Sequence, residues 1–276
     1  MDKFLKFLGI SVLTMTFVLV TEALSSTILF AIFGNAMVGN SDTGILNQVI
    51  KYQVIVGQLL RLILICIFFA IKKKREPNKT NNIIKNKRFL ADSWKMLIIG
   101  IGVASFGNLI ISFLLAIFGK SPLVTDTLDQ FSEAFQINGS MDFFVMIIGI
   151  VILAPIVEEI LFRGIVFERF TKIYKLSTAI ILDGLLFGIY HMNILQGINT
   201  FFMGMVLAFV YYYRRNITDV IIIHMVNNFF ALTAGFDESY TIVLTVVSVI
   251  CILLTIKFLN QFKNNGQKSN ENEEYI

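Results

Sequence analysis

The sequence is short of charge: Asp, Glu, Lys and Arg make up 15% of its 276 residues, where a soluble domain carries about 25%. That shortage excludes a disordered chain, which stays open through high charge and low hydrophobicity. Proline is scarce as well, with three residues, so long helices can run without interruption. There are only two cysteines, Cys66 and Cys251, each inside an apolar run. They exclude a disulfide scaffold and offer no paired-cysteine metal motif. What the chain does have is apolar bulk. It is 56% hydrophobic before its 18 glycines are counted, with 27 phenylalanines, against about 45–50% with glycine included in soluble domains. A soluble enzyme is excluded on the same ground. At about 20 mostly apolar residues per membrane helix, this content supplies seven or eight spans. The pattern is not the alternating one of an outer-membrane barrel.

Apolar stretches run over residues 8–34, 53–71, 95–119, 142–167, 177–193, 194–213, 217–234 and 241–257. The expected fold class is therefore all-α, a polytopic membrane bundle of about eight transmembrane helices. The fifth and sixth stretches are separated only by His191, Met192 and Asn193, which leaves a re-entrant hairpin open there. The net charge of +4 lies between the apolar runs, so it points to membrane lipids and not to nucleic acid. Eight Lys or Arg fall within 72–88, and smaller clusters lie at Lys3 and Lys6, at Arg169, Lys172 and Lys175, at Arg214 and Arg215, and at Lys257, Lys263 and Lys268. With eight spans and both termini inside, all of these face the cytoplasm. The opposite loops carry Asp42, Asp126, Asp129, Glu133, Asp237 and Glu238. Lys3 and Lys6 before an apolar run also resemble a signal peptide, but the apolar pattern resumes through Ile28 to Phe33 and favours a retained helix. The expected organisation is N-terminal helices over 1–140 with the basic loop 72–88, a core over 141–240, and a last helix over 241–276 whose polar, Asn-rich tail from Gln261 is disordered.

Ionisable residues inside membrane helices cost about 2.5–3.5 kcal/mol each at the helix centre and are functional candidates by default. Here they gather in three stretches. The fourth reads A-P-I-V-E-E-I-L-F-R-G, with Glu158 and Glu159 adjacent and Arg163 one turn later. The fifth ends L-L-F-G-I-Y-H, with Phe187 and His191 on one face. The seventh reads I-H-M-V-N-N, with His224 and Asn228 on one face. His191 and His224 are the chain's two histidines. Adjacent helix positions point about 100° apart, so Glu159 can pair with Arg163 as a strut while Glu158 faces the imidazoles. A carboxylate beside imidazoles in a partly wet cavity suits a general base, and the Asn228 amide suits a developing oxyanion. Together they suggest amide hydrolysis within the membrane boundary.

Two histidines and a glutamate also suit zinc with a fourth position open to water. If His191, His224 and Glu158 hold zinc, Glu159 is the base; without a metal, Glu158 is the base. The sequence leaves both open. Each motif alone is weak: one residue in ten is phenylalanine, and a lone intramembrane histidine is commonly an interhelical hydrogen-bond partner. All three, in order and in separate apolar helices, outweigh a purely structural explanation.

Glu158 to Gly164, Phe187 to His191 and His224 to Asn228 resemble the motifs EExxxR, FxxxH and HxxxN of the CPBP intramembrane proteases, which include type II CAAX prenyl endopeptidases and bacterial Abi-domain proteins. The resemblance implies an eight-helix fold around a conical cavity and an endopeptidase acting on a peptide or membrane-associated protein. Its catalytic set falls here on Glu158, Glu159, His191, His224 and Asn228, with the first glutamate activating water and the histidines and asparagine around the substrate carbonyl. Arg163 is the motif arginine, kept as a strut, and Phe187 supports the site. The resemblance does not fix the substrate, because bacterial members are similar both to peptide-trimming proteases and to bacteriocin immunity proteins. A compact chain without large soluble insertions points to a bacterial inner membrane.

Two other functions compete. One is a non-catalytic scaffold or self-immunity protein that keeps the polar cluster for packing. The other is a proton-coupled transporter, which the absence of interrupted helices recurring in both halves speaks against. The charges outside the motifs, Glu22, Arg61 and Asp183, are expected to pair within the bundle or face an aqueous cavity. At 1.5 Å per residue, Glu158 lies about 16 Å from the basic boundary at Arg169 and His224 about 14 Å from Arg215. His191 lies about 24 Å from Lys175, too far out for level, upright helices.

Overall fold

A computed structural model describes residues 2–37, 43–76, 89–134, 137, 139–233 and 238–273. Among them there are helices and no extended sheet: α1 (Lys3–Met37), α2 (Thr43–Arg75), α3 (Phe89–Phe118), α4 (Pro122–Ala134), α5 (Ser140–Phe170), α6 (Leu176–Tyr190), α7 (Ile194–Arg214), α8 (Ile217–Thr233) and α9 (Glu238–Glu273). Of the basic loop 72–88, Lys72 to Arg75 form the last turn of α2, and 77–88 lie outside the described residues, as do Asp42 and Asp237. Among the described residues, six helices are long and apolar enough to cross a membrane, over Lys3–Phe33, Tyr52–Arg75, Asp92–Phe118, Ser140–Phe170, Ile194–Arg214 and Val247–Gly266. The two remaining expected spans, α6 and α8, are apolar but have 15 and 17 residues, about 22 and 25 Å of helix. Large apolar side chains such as Phe4, Leu13, Phe30, Ile63, Phe113 and Leu253 are exposed, as suits a multi-pass membrane protein in lipid.

The chain divides into two compact units, Met1–Thr80 with Asp129–Leu161, and Asn81–Leu128 with Phe162–Ile276. In the first, α1 buries Thr14, Val18, Thr21, Ser25 and Leu29, a stripe at helical spacing, and packs against α2. Small residues on such a stripe let helices approach closely in lipid. The hydroxyls of Thr14, Thr21, Ser25, Ser26 and Thr27 donate to carbonyls three or four residues earlier, which satisfies them where no water does. Glu22 and Arg61 form an ion pair. Arg61 Nε donates to Thr21 Oγ1 at 2.9 Å, and Gln53 Nε2 donates to Glu22 Oε1 at 2.7 Å. These two intramembrane charges thus pair within the bundle, as expected. Helix α1 runs unbroken through Ala23 to Thr27.

In the second unit, α6 and α7 form a tight hairpin. Helix α6 ends at Tyr190, Met192 adopts a left-handed φ of 50°, and the Asn193 side chain caps α7 by accepting from the Gln196 N–H at 3.0 Å. The soft boundary between the fifth and sixth stretches is therefore a three-residue turn between two helices. Glycine makes the approach possible: a Cβ on Gly188 would lie 2.6 Å from the Gly197 carbonyl oxygen, and one on Gly204 would lie 2.9 Å from Gly184 Cα. Gly188→Ala forces α6 and α7 apart and lowers stability by about 1–3 kcal/mol, the usual cost of overpacking. The midpoint of thermal unfolding in detergent measures it.

Helix α3 packs against α8 and α9. Helix α9 differs from expectation: in place of a disordered tail from Gln261, the helix continues to Glu273. The segment contains no proline and alternates Asn with Gln, Lys and Glu. Extending an existing helix also needs no new nucleus, while the buried Phe258 and Phe262 anchor its approach.

Candidate functional site

Glu158 and Glu159 sit in the middle of α5, on the regular α-helical stretch Ala154–Leu161, bracketed by π-helical stretches at Ile147–Leu153 and Phe162–Phe167. The first follows from sequence. Pro155 has no N–H to donate, and its ring crowds the carbonyl one turn back, so the preceding backbone widens. Wide turns of this kind recur at functional sites. Both carboxylates are buried, Glu158 to 5% exposure and Glu159 to 0%.

The histidines lie in the second unit, where the fully buried Phe187 ring collects them. His191 stands edge-on to it at 5.0 Å between ring centroids, and His224 edge-on at 5.7 Å, both at 89°. Phe162 packs against the same ring at 4.7 Å, and Tyr190 stacks parallel to it at 6.1 Å. His191 is not inside α6; it caps the helix, with Nδ1 2.9 Å from the Phe187 carbonyl oxygen. The depths counted for His191 and His224 differ by about 10 Å, yet both rings meet Phe187. Helices α6 and α8 are therefore staggered or inclined and not level.

Arg163, expected to pair with Glu159, reaches Asp183 of α6 and the Gly204 carbonyl of α7. Its fully buried guanidinium lies 4.7 Å from the Phe187 ring centroid, faces Asp183 Oδ2 of α6 with Nε at 3.6 Å, and donates from NH2 to the Gly204 carbonyl of α7 at 3.0 Å. Asp183, fully buried, is thus paired within the bundle. Asn228, on α8 one turn beyond His224, is half-buried.

Among the described residues, no group of three or more His, Cys, Asp or Glu side chains is gathered as a metal site.

Residues 140–230, which hold every motif position, match the family model described as Type II CAAX prenyl endopeptidase Rce1-like. Over this segment the chain is similar to that family. No curated protein and no solved structure matches the chain. At the level of the family, the match supports an intramembrane protease of CAAX type.

Within the Rce1-like segment, the structure adds residues that motif reading passes over. The buried Asn227 donates from Nδ2 to Asn228 Oδ1 at 3.2 Å, which orients that amide. The doubled asparagine was the available signal. Tyr190 stands edge-on to His191 at 5.0 Å and, with Phe187, walls in its ring. An aromatic beside a histidine gave no signal in a chain this rich in aromatics.

Proposed function

We propose that the protein is an intramembrane endopeptidase in which glutamate-activated water hydrolyses a peptide bond at the membrane boundary. The observation that supports it best is the meeting of both histidines on the buried Phe187 ring within the Rce1-like segment. Glu158 takes the proton from water and the hydroxide attacks the substrate carbonyl; as the tetrahedral intermediate collapses, the C–N bond breaks and the proton held by Glu158 passes to the leaving amine. His191 and His224, gathered on the Phe187 ring, act on the substrate and its water. Asn228 donates its amide to the oxygen that gains charge, a contribution of about 2.7–4 kcal/mol for one such donor. Glu159 supports the pair from the adjacent position. The substrate is a peptide or a membrane-associated protein, the membrane is a bacterial inner membrane, and both termini lie inside; a reporter fused at residue 130 and found outside supports that orientation.

The test is cleavage of a fluorogenic peptide library by the purified protein in proteoliposomes. His191→Ala lowers kcat about 10²-fold or more, in the range of a positioned acid–base group, while insertion and monodispersity are unchanged. Absence of cleavage by the wild-type protein contradicts the protease reading and favours a scaffold, and full activity in the His191→Ala variant removes His191 from the reaction. Zinc is decided in the same assay: loss on chelation with recovery on added zinc assigns it to the histidines, whereas indifference to a chelator that strips a zinc-protease control assigns the metal-free form.

A further inference from the structure

Helix α8 carries both His224 and Asn228, and at 17 residues it has little length with which to anchor itself. Its first turn is instead built into the protein. Asn216, buried, accepts from the Thr218 N–H at 3.1 Å and donates to Asp219 Oδ1 at 2.9 Å. Asn216 thus caps the helix, and its side-chain amide is tied to Asp219 three residues on. Asp219 is fully buried and forms an ion pair with Arg214, the last residue of α7. The turn between them is held by Arg215 in the left-handed region at φ 49°, its N–H donating to Tyr211 O at 2.8 Å. The same Arg214 guanidinium donates to Asp92 Oδ2 in the first turn of α3 at 3.1 Å and lies 4.6 Å from the Phe262 ring centroid on α9. Lys95 holds the other oxygen of Asp92 at 2.8 Å. One half-buried cation therefore joins the ends of α3, α7 and α8 and rests on α9.

A second restraint grips α8 on either side of His224. A Cβ on Gly100 of α3 would lie 2.6 Å from Val226 Cβ and 2.9 Å from the Ile223 carbonyl oxygen, so the two helices touch backbone to backbone there. His224 lies between these contacts and five residues from Asp219, about 7.5 Å along the helix. Axial position is set at the Asp219 end, and distance from α3 is set at Gly100.

We infer that Arg214, Asp219 and Gly100 are positioning residues that set the register of α8 and thereby place His224 and Asn228 for the reaction. This rests on the protease reading. Their effect passes through the helix. A displacement of about 1 Å at a reacting group is worth about 10²-fold in rate.

The test compares wild type, Asp219→Asn and Gly100→Ala in proteoliposomes, with kcat and KM measured per mole of monodisperse protein and amide hydrogen exchange followed across 217–233. Asp219→Asn keeps the shape of the cap and removes the charge that Arg214 holds. The expected result is a kcat lowered about 10- to 100-fold with KM within about twofold, and faster exchange in α8. A kcat within about twofold of wild type for both variants overturns the inference, as does a loss confined to KM. If wild-type protein does not cleave, the protease reading fails by itself; unchanged exchange across α8 in both variants then overturns the positioning role too, and faster exchange confined to α8 supports the register it describes.

Discussion

Glu158→Gln lowers the rate of peptide cleavage by about 10²- to 10⁴-fold, the share a positioned general base supplies, and leaves the fold in place. The substitution is nearly isosteric. It keeps a hydrogen-bonding group at a position that is 5% exposed but removes the only form of the side chain that accepts a proton from water. Single-turnover cleavage in proteoliposomes measures the loss, with insertion and unfolding midpoint as controls. Glu159→Gln is the companion measurement. If Glu158 is the base, the Glu159 variant loses less kcat and more stability; the reverse order gives the base role to Glu159.

Arg163→Ala acts on stability. Its guanidinium is fully buried beside the equally buried Asp183, with a hydrogen bond to the Gly204 carbonyl and the Phe187 ring beneath it. Removing one partner of a buried ion pair costs about 3–5 kcal/mol, because the other charge stays behind in a low-dielectric interior. The double substitution Arg163→Met with Asp183→Leu is expected to recover most of that stability, since apolar replacements of similar volume are often neutral or better. Reversible unfolding in mixed micelles reads both. Cleavage should not recover with stability, because the cation over Phe187, the ring both histidines share, is gone.

Much of this was legible in one dimension. Apolar runs long enough to span announced α1, α2, α3, α5, α7 and α9, and the two histidines stood out because a chain with so few ionisable groups has no cheap reason to bury them. Residues one turn apart, such as Phe187 and His191, were also within reach of helical periodicity. Contacts across the bundle were not. Asp183 lies 20 residues from Arg163, and the sequence offers Glu159 as the local partner by spacing alone. Asp92 and Asp219 meet Arg214 from α3 and α8, whereas Arg214 reads in sequence as half of a basic loop. The placement of His191 beyond the last turn of α6 depended on where that helix stops, which Met192 and Asn193 decide through backbone geometry and a side-chain cap. The extent of α9 is hidden by the polar composition of its end, which holds helix as the continuation of one already formed.

The lengths of α6 and α8 have a further consequence, for the lipids. Both present apolar side chains outward, Ile181, Leu185 and Ile189 on α6 and Phe229 on α8, over helices that fall about 5 to 8 Å short of a typical hydrocarbon layer. The neighbouring acyl chains must compress to cover them, at a fraction of a kcal/mol for each ångström of mismatch. The helices that bring the histidines together are thus the two that fall short of a hydrocarbon layer which the six longer helices are long enough to cross.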